Sequence, residues 1–337
     1  MFRMMLIALL CLFGGVTFGA QQPAQPPAQP LILVSVYPVL AMVQEIAGEA
    51  FDVRPALPYG RSEHDYEASA KDIRTLRSAD LLLIVDQATD GWMVRAAGSK
   101  TPVFEILPHV GPATYADTVG LAALGSAAAK SMQGQWDPHF WTDPARMGKA
   151  AMAVAQHLAR MLAPGSQGGA EAEKTAVTTI TAIMQRAKTF AARMTGLNAA
   201  IIGDGKSWPR ASVILAHGSL GYYSRITGLK IIGILEPVPH VEPTPRHLAA
   251  LIQLAKANKP CVVLAEEQID DAVARALGRE ASVTVARINP LGYPNGYPKA
   301  SNAGAGKDNQ VIGVYDRYLV RLTQEVAEGF AKELSGK

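Results

Sequence analysis

The sequence has little cysteine, little net charge and, beyond its first residues, no long hydrophobic run. Only 2 of its 337 residues are Cys, which excludes a disulfide-stapled scaffold and a cysteine-built zinc finger. The formal net charge is +3, and a nucleic-acid partner would need basic residues concentrated on one face. No later run reaches the roughly 20 apolar residues of a membrane span. What is abundant is hydrophobic residues, 49% of the chain, which predicts a packed globular protein long enough for two domains.

Residues 1–20 are predicted to be a secretory signal peptide. Arg3 precedes an unbroken apolar run over residues 4–13, and small residues follow, which is the order typical of such a signal. Lipid attachment at Cys11 is not expected, because Leu10 stands where a lipoprotein signal needs a small residue. Residues 21–30 are rich in Pro and Gln and predict a stiff, solvated tether.

Short apolar runs alternate with helical patterns in both halves of the remaining chain. Strand patterns cover residues 31–36, 51–57, 79–85 and 102–106, and then 212–216, 229–234, 260–265 and 283–288. Such β-α-β alternation implies parallel sheets with helices on their faces. We therefore predict an α/β fold of two lobes, each with a parallel four-stranded sheet, over residues 31–168 and 197–337.

One long helix is predicted to join the lobes over residues 169–196. Residues 170–195 contain neither proline nor glycine, and their apolar residues recur every three or four positions, as on the buried face of a helix. The proposed stripe is Val177, Ile180, Met184, Ala187, Ala191 and Met194. A helix of this extent is about 40 Å long, and we expect it to act as a rigid spine that limits hinge motion.

Three histidines stand near the ends of predicted strands or at the start of a helix. His217 directly follows the 212–216 strand, His64 lies in the loop after the 51–57 strand, and His139 precedes a predicted helix. Ligands of open α/β sheets bind beyond the carboxyl ends of the strands, and imidazole is a preferred ligand of zinc. The pattern therefore predicts a three-histidine metal site in the cleft between the lobes.

Three imidazoles leave one position of a tetrahedral zinc ion to be filled. Glu63, next to His64, is the candidate fourth ligand, and water is the alternative. Asp65 and Asp137 are close enough in sequence to orient the imidazoles through their second nitrogen. A lone histidine is more often a solvated or packing residue than a ligand. We expect His109 and His240 at the rim of the cleft and His157 and His247 on helices.

Five segments in order carry a resemblance to a known family. They are 34–85 with its G-x-x-x-H-x-Y-E pattern, WDPHFWTDPARM over 136–147, ILAHGSLGYYSRITGLKIIGI over 214–234, LAEEQIDDAVARAL over 264–277 and INPLG over 288–292. Together they resemble the metal-specific solute-binding proteins of ABC transporters, most closely the periplasmic zinc-uptake binding proteins. The resemblance covers nearly all of the chain after the signal and implies that His64, His139 and His217 are the metal ligands.

The resemblance also implies a function. The protein would be a monomer in the periplasm that captures Zn(II) as its transported ligand, without enzymatic activity. It would deliver the ion to the membrane permease of an ABC importer, which works with a cytoplasmic ATPase. Trp141 and Tyr66 flank the ligands and are expected to pack around the site.

The chain departs from the family pattern at several points. Many members have a ligand aspartate where this chain has Asn289, and an amide is a weak zinc ligand. Manganese-specific relatives usually carry glutamate at the position of His217, so histidine favours zinc, in agreement with the preference of manganese for oxygen donors. Residues 109–136 lack the His-rich loop of many zinc-uptake relatives, and the Gly- and Asn-rich loop over 292–310 is expected to gate the cleft instead.

The sequence is also compatible with three other functions. The first is a manganese- or iron-binding member of the same family. The second is a zinc-dependent hydrolase, because three histidines and a water also form a catalytic zinc site. The third is a surface adhesin of the same fold in which the metal is structural.

Overall fold

The computed structural model describes residues 29–163, 169–208, 212–238, 241–292 and 313–336. The predicted signal peptide, most of the tether and the gating loop after Gly292 lie outside the described residues. Within them, all eight predicted strands are present and form two parallel four-stranded sheets, ordered β2-β1-β3-β4 and β6-β5-β7-β8. The predicted α/β fold of two lobes with a cleft between them is confirmed.

The strands are short and the helices vary widely in length. The strands are β1 Leu31–Val34, β2 Asp52–Pro55, β3 Leu81–Ile84, β4 Val103–Glu105, β5 Ser212–Leu215, β6 Lys230–Ile234, β7 Cys261–Glu266 and β8 Thr284–Ile288. The helices are α1 Tyr37–Ala47, α2 Ala70–Arg77, α3 Trp92–Ala97, α4 Tyr115–Thr118, α5 Leu121–Leu124, α6 Ser126–Ser131, α7 Pro144–Leu162, α8 Ala170–Ser207, α9 Gly221–Thr227, α10 Pro245–Ala257, α11 Ala272–Ala281 and α12 Val314–Ser335. All eight strands lie close to their predicted places.

Local capping explains where several helices begin. Ser69 and Asp72 form a complete capping box at the start of α2, and the Asp143 carboxylate accepts two backbone N–H groups at the start of α7. The Thr244 hydroxyl caps α10, which opens with Pro245. Each cap satisfies backbone donors that the first turn of a helix leaves without partners. The loops that approach the cleft therefore end at defined points.

The central strands of both sheets are buried on both faces. Strands β3, β5 and β7 have no exposed residue, which is why their sequences read as unbroken apolar runs rather than alternating ones. Cys261 starts β7 and is buried as a free thiol. Burial raises its pKa to about 12, so the thiol is unreactive at neutral pH.

The linking helix is longer than predicted. Helix α8 ends at Ser207 rather than near residue 196, which makes it about 57 Å long at 1.5 Å per residue. Glycines at 196, 203 and 205 do not end it, because a helix tolerates glycine at a modest cost. The predicted apolar stripe was partly wrong, since Val177 is 54% exposed. The residues of α8 that are buried are Ile183, Ala187, Phe190, Met194 and Ile201.

Helix α8 is bonded to both lobes by one arginine. Arg193 pairs in a bidentate manner with Glu45 of α1, at 2.8 Å for both N–O distances. The same guanidinium donates to Asp316 of α12 at 2.6 Å. A second arginine, Arg186, donates to the carbonyl groups of Ile46 and Ala47 at the end of α1. The helix therefore connects the lobes by hydrogen bonds as well as by packing.

The segment that lacks a His-rich loop has a packing role in this chain. Helices α4, α5 and α6 occupy it, and α5 packs against β6, while α4 packs against α9. Strand β6 is an edge of the second sheet, and an edge strand is often covered by a helix or loop. A segment of the N-terminal half thus covers the edge of the C-terminal sheet.

Candidate metal centre

The topology brings the three predicted histidines together at one end of the cleft. In the second sheet, β5 has β6 on one side and β7 on the other, and His217 follows the end of β5 at this switch point. His64 lies in the loop between β2 and α2, and His139 lies in the loop before α7. One nitrogen of each ring lies within 4.8 Å of one nitrogen of both others. Among the described residues this is the one group of His, Cys, Asp or Glu side chains so arranged.

The ring contacts show how closely the imidazoles approach. Centroid distances are 5.6 Å for His64 and His139, 5.1 Å for His64 and His217, and 5.0 Å for His139 and His217. The Nε2 atoms of His139 and His217 are 3.2 Å apart. Two nitrogens bound to one tetrahedral zinc ion at 2.0–2.1 Å are about 3.3 Å apart. The spacing of this pair is therefore already that of two ligands of one ion.

The orientation of His139 is set by Asp137. One carboxylate oxygen of Asp137 accepts from the backbone N–H of His139 at 3.0 Å and lies 2.8 Å from its Nδ1. This contact leaves the Nε2 lone pair of the neutral ring directed at His217. Burial lowers the pKa of His139, but the hydrogen bond and charge of Asp137, together with the charges of Glu63 and Glu266, oppose burial, and the pKa is raised above its usual value. The predicted orienting role of Asp137 agrees with this geometry.

The ring of His217 contacts the backbone, and a serine that follows it in the chain contacts a buried carboxylate. Its Nδ1 lies 3.4 Å from the carbonyl oxygen of Glu236, and a carbonyl can only accept, so this contact favours the tautomer with the proton on Nδ1. Two residues on, the Ser219 hydroxyl donates to Glu266 at 2.6 Å. Burial raises the pKa of Glu266 to about 7, and the charges of Glu63 and Glu236 add to this, while Ser219 and His139 oppose it.

Glu63, the candidate fourth ligand, is buried beside the histidines. Its carboxylate lies 3.6 Å from Nε2 of His64, and its carbonyl oxygen accepts from the Trp92 indole at 3.1 Å. Burial raises the pKa of Glu63, and the nearby charge of His139 lowers it. A carboxylate held here without a cation is disfavoured by desolvation, and a bound divalent ion would relieve that cost.

Asn289 occupies the predicted position at the end of β8 but its side chain is engaged elsewhere. Its amide nitrogen donates to Glu267 at 3.0 Å and to the carbonyl oxygen of Gly292 at 3.1 Å. Its amide oxygen accepts from Gln268 at 2.8 Å. Both polar atoms of the amide therefore have protein partners, and the backbone N–H donates to Glu325 at 3.0 Å.

The three other histidines that the structure describes, His109, His157 and His247, are not part of the three-histidine group. His109 stacks on Phe104 at a centroid distance of 4.9 Å, and His157 packs on the same ring at 4.4 Å. His247 lies 2.8 Å from the carbonyl oxygen of Ile234 through its Nε2. His240 lies outside the described residues. His157 is thus a packing residue, as expected of a histidine on a helix.

The two aromatic residues expected around the site differ in what they contact. The Trp141 ring lies 5.2 Å from His139 by centroids, so it does form a wall of the site. Tyr66 instead packs against Trp92 at 4.8 Å and donates its hydroxyl to Asp72 at 2.7 Å. Tyr66 therefore contacts Trp92, which in turn holds the backbone of Glu63.

Sequence reasoning missed Glu266 and the buried tyrosine Tyr222. Glu266 ends β7, and the same rule that singled out His217, a polar residue at the carboxyl end of a buried strand, would have found it. Tyr222 gave no such signal, because an aromatic residue in a short helix is predicted to pack in the hydrophobic core.

Comparison with known proteins places the chain in a family. Residues 32–301 match the family model described as "Zinc-uptake complex component A periplasmic". The chain is 25% identical over 297 residues to the zinc-binding lipoprotein AdcA of Streptococcus pneumoniae, covering 85% of this chain and 54% of that protein. It is 24% identical over 281 residues to the high-affinity zinc uptake system protein ZnuA of Yersinia pestis, covering 79% of this chain and 84% of the relative. The chain thus spans about half the length of the AdcA relatives it matches.

The solved structures agree on the fold. A crystal structure of ZnuA superposes with a TM-score of 0.67 at 19% identity, covering 90% of this chain and 99% of that chain. No helix in the described part of this chain is long and apolar enough to cross a membrane. One relative is named a lipoprotein, so the comparisons do not support the expectation that lipid attachment is absent. The match over most of the chain shows that the protein belongs to the family of the periplasmic component A of zinc-uptake complexes.

Proposed function

We propose that the protein captures Zn(II) outside the cytoplasmic membrane and delivers it to an ABC importer. The observation that carries this proposal is the approach of His64, His139 and His217, one nitrogen of each within 4.8 Å of the others. Three neutral imidazoles in a mostly buried cleft suit zinc. The family assignment supports it, because the family is described as a zinc-uptake component.

The proposed ligand set is His64, His139 and His217, with Glu63 as the fourth ligand and water as the alternative. Glu63 would add a negative charge to a site of neutral rings, which strengthens the attraction for a divalent cation in a buried environment. Nitrogen donors dominate this set, and manganese prefers oxygen. We therefore expect zinc to be preferred over manganese, and also over Fe(II), which a given site binds more weakly than Zn(II).

Binding and release follow from where the ligands stand in the chain. His64 and His139 come from the N-terminal half and His217 from the C-terminal half, so the ion holds the lobes together. Release then requires the permease to move ligands apart, or protonation of the imidazoles, since a site that loses one of three histidines loses most of its affinity. Helix α8 and its Arg193 bonds to Glu45 and Asp316 favour a small closure over a wide hinge motion.

We infer that the ion is cargo rather than a catalyst. A zinc hydrolase needs an open coordination position and a general base beside a substrate pocket. Glu63 is the available base, but as fourth ligand it would fill that position. The partners we propose are a membrane permease and its cytoplasmic ATPase, and we propose that the protein acts as a periplasmic monomer.

The function is tested by metal titration and by growth. The metal-free protein should bind one Zn(II) per chain in competition with a chromophoric chelator, and should prefer Zn(II) to Mn(II) and Fe(II). Deleting the gene should slow growth in zinc-limited medium, and added zinc should restore it. Normal growth without the protein would favour the adhesin function, and zinc-dependent turnover of ester or amide substrates would favour the hydrolase.

The bonds of Asn289 predict that restoring the aspartate common in the family will not restore a ligand. In Asn289→Asp, a carboxylate would replace the amide that donates to Glu267 and to the Gly292 carbonyl. Two carboxylates would then face each other in a buried place, which is destabilising. We expect a lower melting temperature and no gain in zinc affinity. A tenfold gain in a chelator competition would instead show that residue 289 reaches the ion.

A further inference from the structure

A tyrosine of the C-terminal lobe is bonded to the segment that carries His139. Tyr222 lies in α9, five residues after His217, and is fully buried. Its hydroxyl accepts from the backbone N–H of Ala113 at 2.9 Å and donates to the carbonyl oxygen of Asp137 at 3.0 Å. Both partners belong to the N-terminal half of the chain, so one hydroxyl joins the two halves beside the metal centre.

The partners of Tyr222 are themselves paired. The backbone N–H of Asp137 donates to the carbonyl oxygen of Ala113 at 2.9 Å, next to an isolated antiparallel bridge between Thr114 and Trp136. The hydroxyl of Tyr222 therefore bonds to both segments of this short antiparallel pairing. Asp137 is the residue whose carboxylate orients His139, so the bond acts one step from a proposed ligand.

The two halves of the chain pack closely around Tyr222. A methyl group placed on Gly221 would lie 2.5 Å from the Asp137 carboxylate and 2.7 Å from Cβ of Thr118. On the other side, the Arg146 guanidinium lies 4.4 Å from the centre of the Tyr222 ring. Contacts this tight have few alternative arrangements, because a packed interface is not continuously deformable.

The far side of His139 is anchored to the same lobe. The Trp141 indole donates to the carbonyl oxygen of Pro290 at 3.0 Å, and the Trp141 carbonyl accepts from Tyr315 at 2.8 Å. Residues 137–141 are thus bonded to the C-terminal lobe two residues before and two residues after His139. His139 belongs to the N-terminal half by sequence, but its loop is held by the C-terminal lobe.

We propose that Tyr222 is a positioning residue that holds His139 against His217 before any metal binds. The 3.2 Å between their Nε2 atoms is then a property of the metal-free protein rather than a result of closure around zinc. This inference rests on the proposed function, because holding His139 against His217 matters for metal binding only if both rings are ligands. Zinc would meet a ready-made pair of nitrogens and lose less affinity to ordering them.

The neighbouring residue offers a matched control. Tyr223 is also fully buried in α9, and its hydroxyl donates to Thr323 at 2.9 Å within the C-terminal lobe. Tyr222→Phe and Tyr223→Phe each remove one hydroxyl from adjacent positions of one helix. The Tyr222→Phe change cuts the connection to Asp137, whereas Tyr223→Phe leaves it intact.

Three measurements distinguish the variants. We expect Tyr222→Phe to raise amide hydrogen exchange over residues 137–141 in the metal-free protein and to shift the visible spectrum of the Co(II)-substituted protein. We also expect it to weaken zinc binding about tenfold, near the lower limit for loss of a residue that orients a ligand. Tyr223→Phe should change none of the three, even if it lowers the melting temperature equally. Equal exchange, spectra and affinity in the two variants would overturn the proposal.

The design separates this inference from the proposed function. Amide hydrogen exchange over residues 137–141 in the metal-free protein tests whether Tyr222 holds this segment, and the measurement needs no metal. If the wild-type protein bound no zinc, the proposed function would fail while the exchange difference could still be measured. If zinc bound tightly in both variants with equal exchange, the function would stand and the role of Tyr222 would be wrong.

Discussion

His217→Ala should weaken zinc binding by about a hundredfold or more, because loss of a residue that only orients a ligand already costs 10–100-fold. His217 is buried, and its Nε2 lies 3.2 Å from that of His139. Removing it leaves two imidazoles and Glu63, so the protein can no longer supply the four ligands of a tetrahedral zinc ion. The measurement is competition with a chromophoric chelator of known affinity, at fixed pH, because protons compete for the same nitrogens.

The control for this prediction is another histidine of the same chain. His157 packs against Phe104 with a centroid distance of 4.4 Å and belongs to no described cluster of metal-binding side chains. His157→Ala should leave zinc affinity within about twofold of wild type, although it removes packing. Comparable losses in His157→Ala and His217→Ala would count against the ligand assignment, and so would unchanged affinity in both.

Gly205→Ala should destabilise the fold by about 1–3 kcal/mol, the usual cost of adding atoms to a filled contact. Helix α8 crosses the end of α9 at this residue, and a methyl group on Gly205 would lie 2.7 Å from Cα of Thr227. That neighbour is backbone, so it cannot rotate away as a side chain would. The expected result is a lower midpoint of urea unfolding for the metal-free protein.

A glycine two residues earlier in the same helix should respond in the opposite direction. Gly203 is exposed, and a methyl group there would meet nothing within 4 Å. Gly203→Ala should stabilise the protein by up to about 1 kcal/mol, since alanine is the better helix former. If both substitutions shifted the unfolding midpoint in the same direction, the close approach of α8 and α9 would not be what requires glycine at position 205.

The ligand histidines could be found from sequence because their positions follow a topological rule. His217 comes two residues after the end of β5, at the carboxyl edge where ligands of open α/β sheets bind. His139 was marked by the predicted helix start after it, which Asp143 does cap. The rule places residues at an edge but does not give distances, so the spacing of the nitrogens had to come from the structure.

The surroundings of the site could not be predicted in the same way. Asn289 was expected at a ligand position, and only the structure shows that Glu267, Gln268 and Gly292 engage its amide. The hydrogen-bonding partners of a buried amide are the residues that fold next to it in space. The sequence does not show which residues those are. Whether residue 289 takes part in binding stays a prediction for the Asn289→Asp experiment.

The length of the linking helix also exceeded what local pattern indicates. Glycine lowers helix propensity by about 1 kcal/mol relative to alanine; one glycine stands at the predicted end of the helix, residue 196, and two more follow at 203 and 205. Helix α8 nevertheless continues to Ser207, because packing of Ile201 in the core and of Gly205 against α9 outweighs that cost. Tertiary contacts commonly decide helix ends where propensity is weak.

The sequence by itself determined the two α/β lobes, the long helix between them and the three histidines as one group. Those features depend on periodicity, capping and strand ends, all of which are local in the chain. Only the tertiary structure decided that Tyr222 of one half bonds to Asp137 of the other, and that the loop of His139 is held by the lobe that carries His217. Contacts between halves depend on how the lobes are packed together, and no local pattern of residues encodes that arrangement.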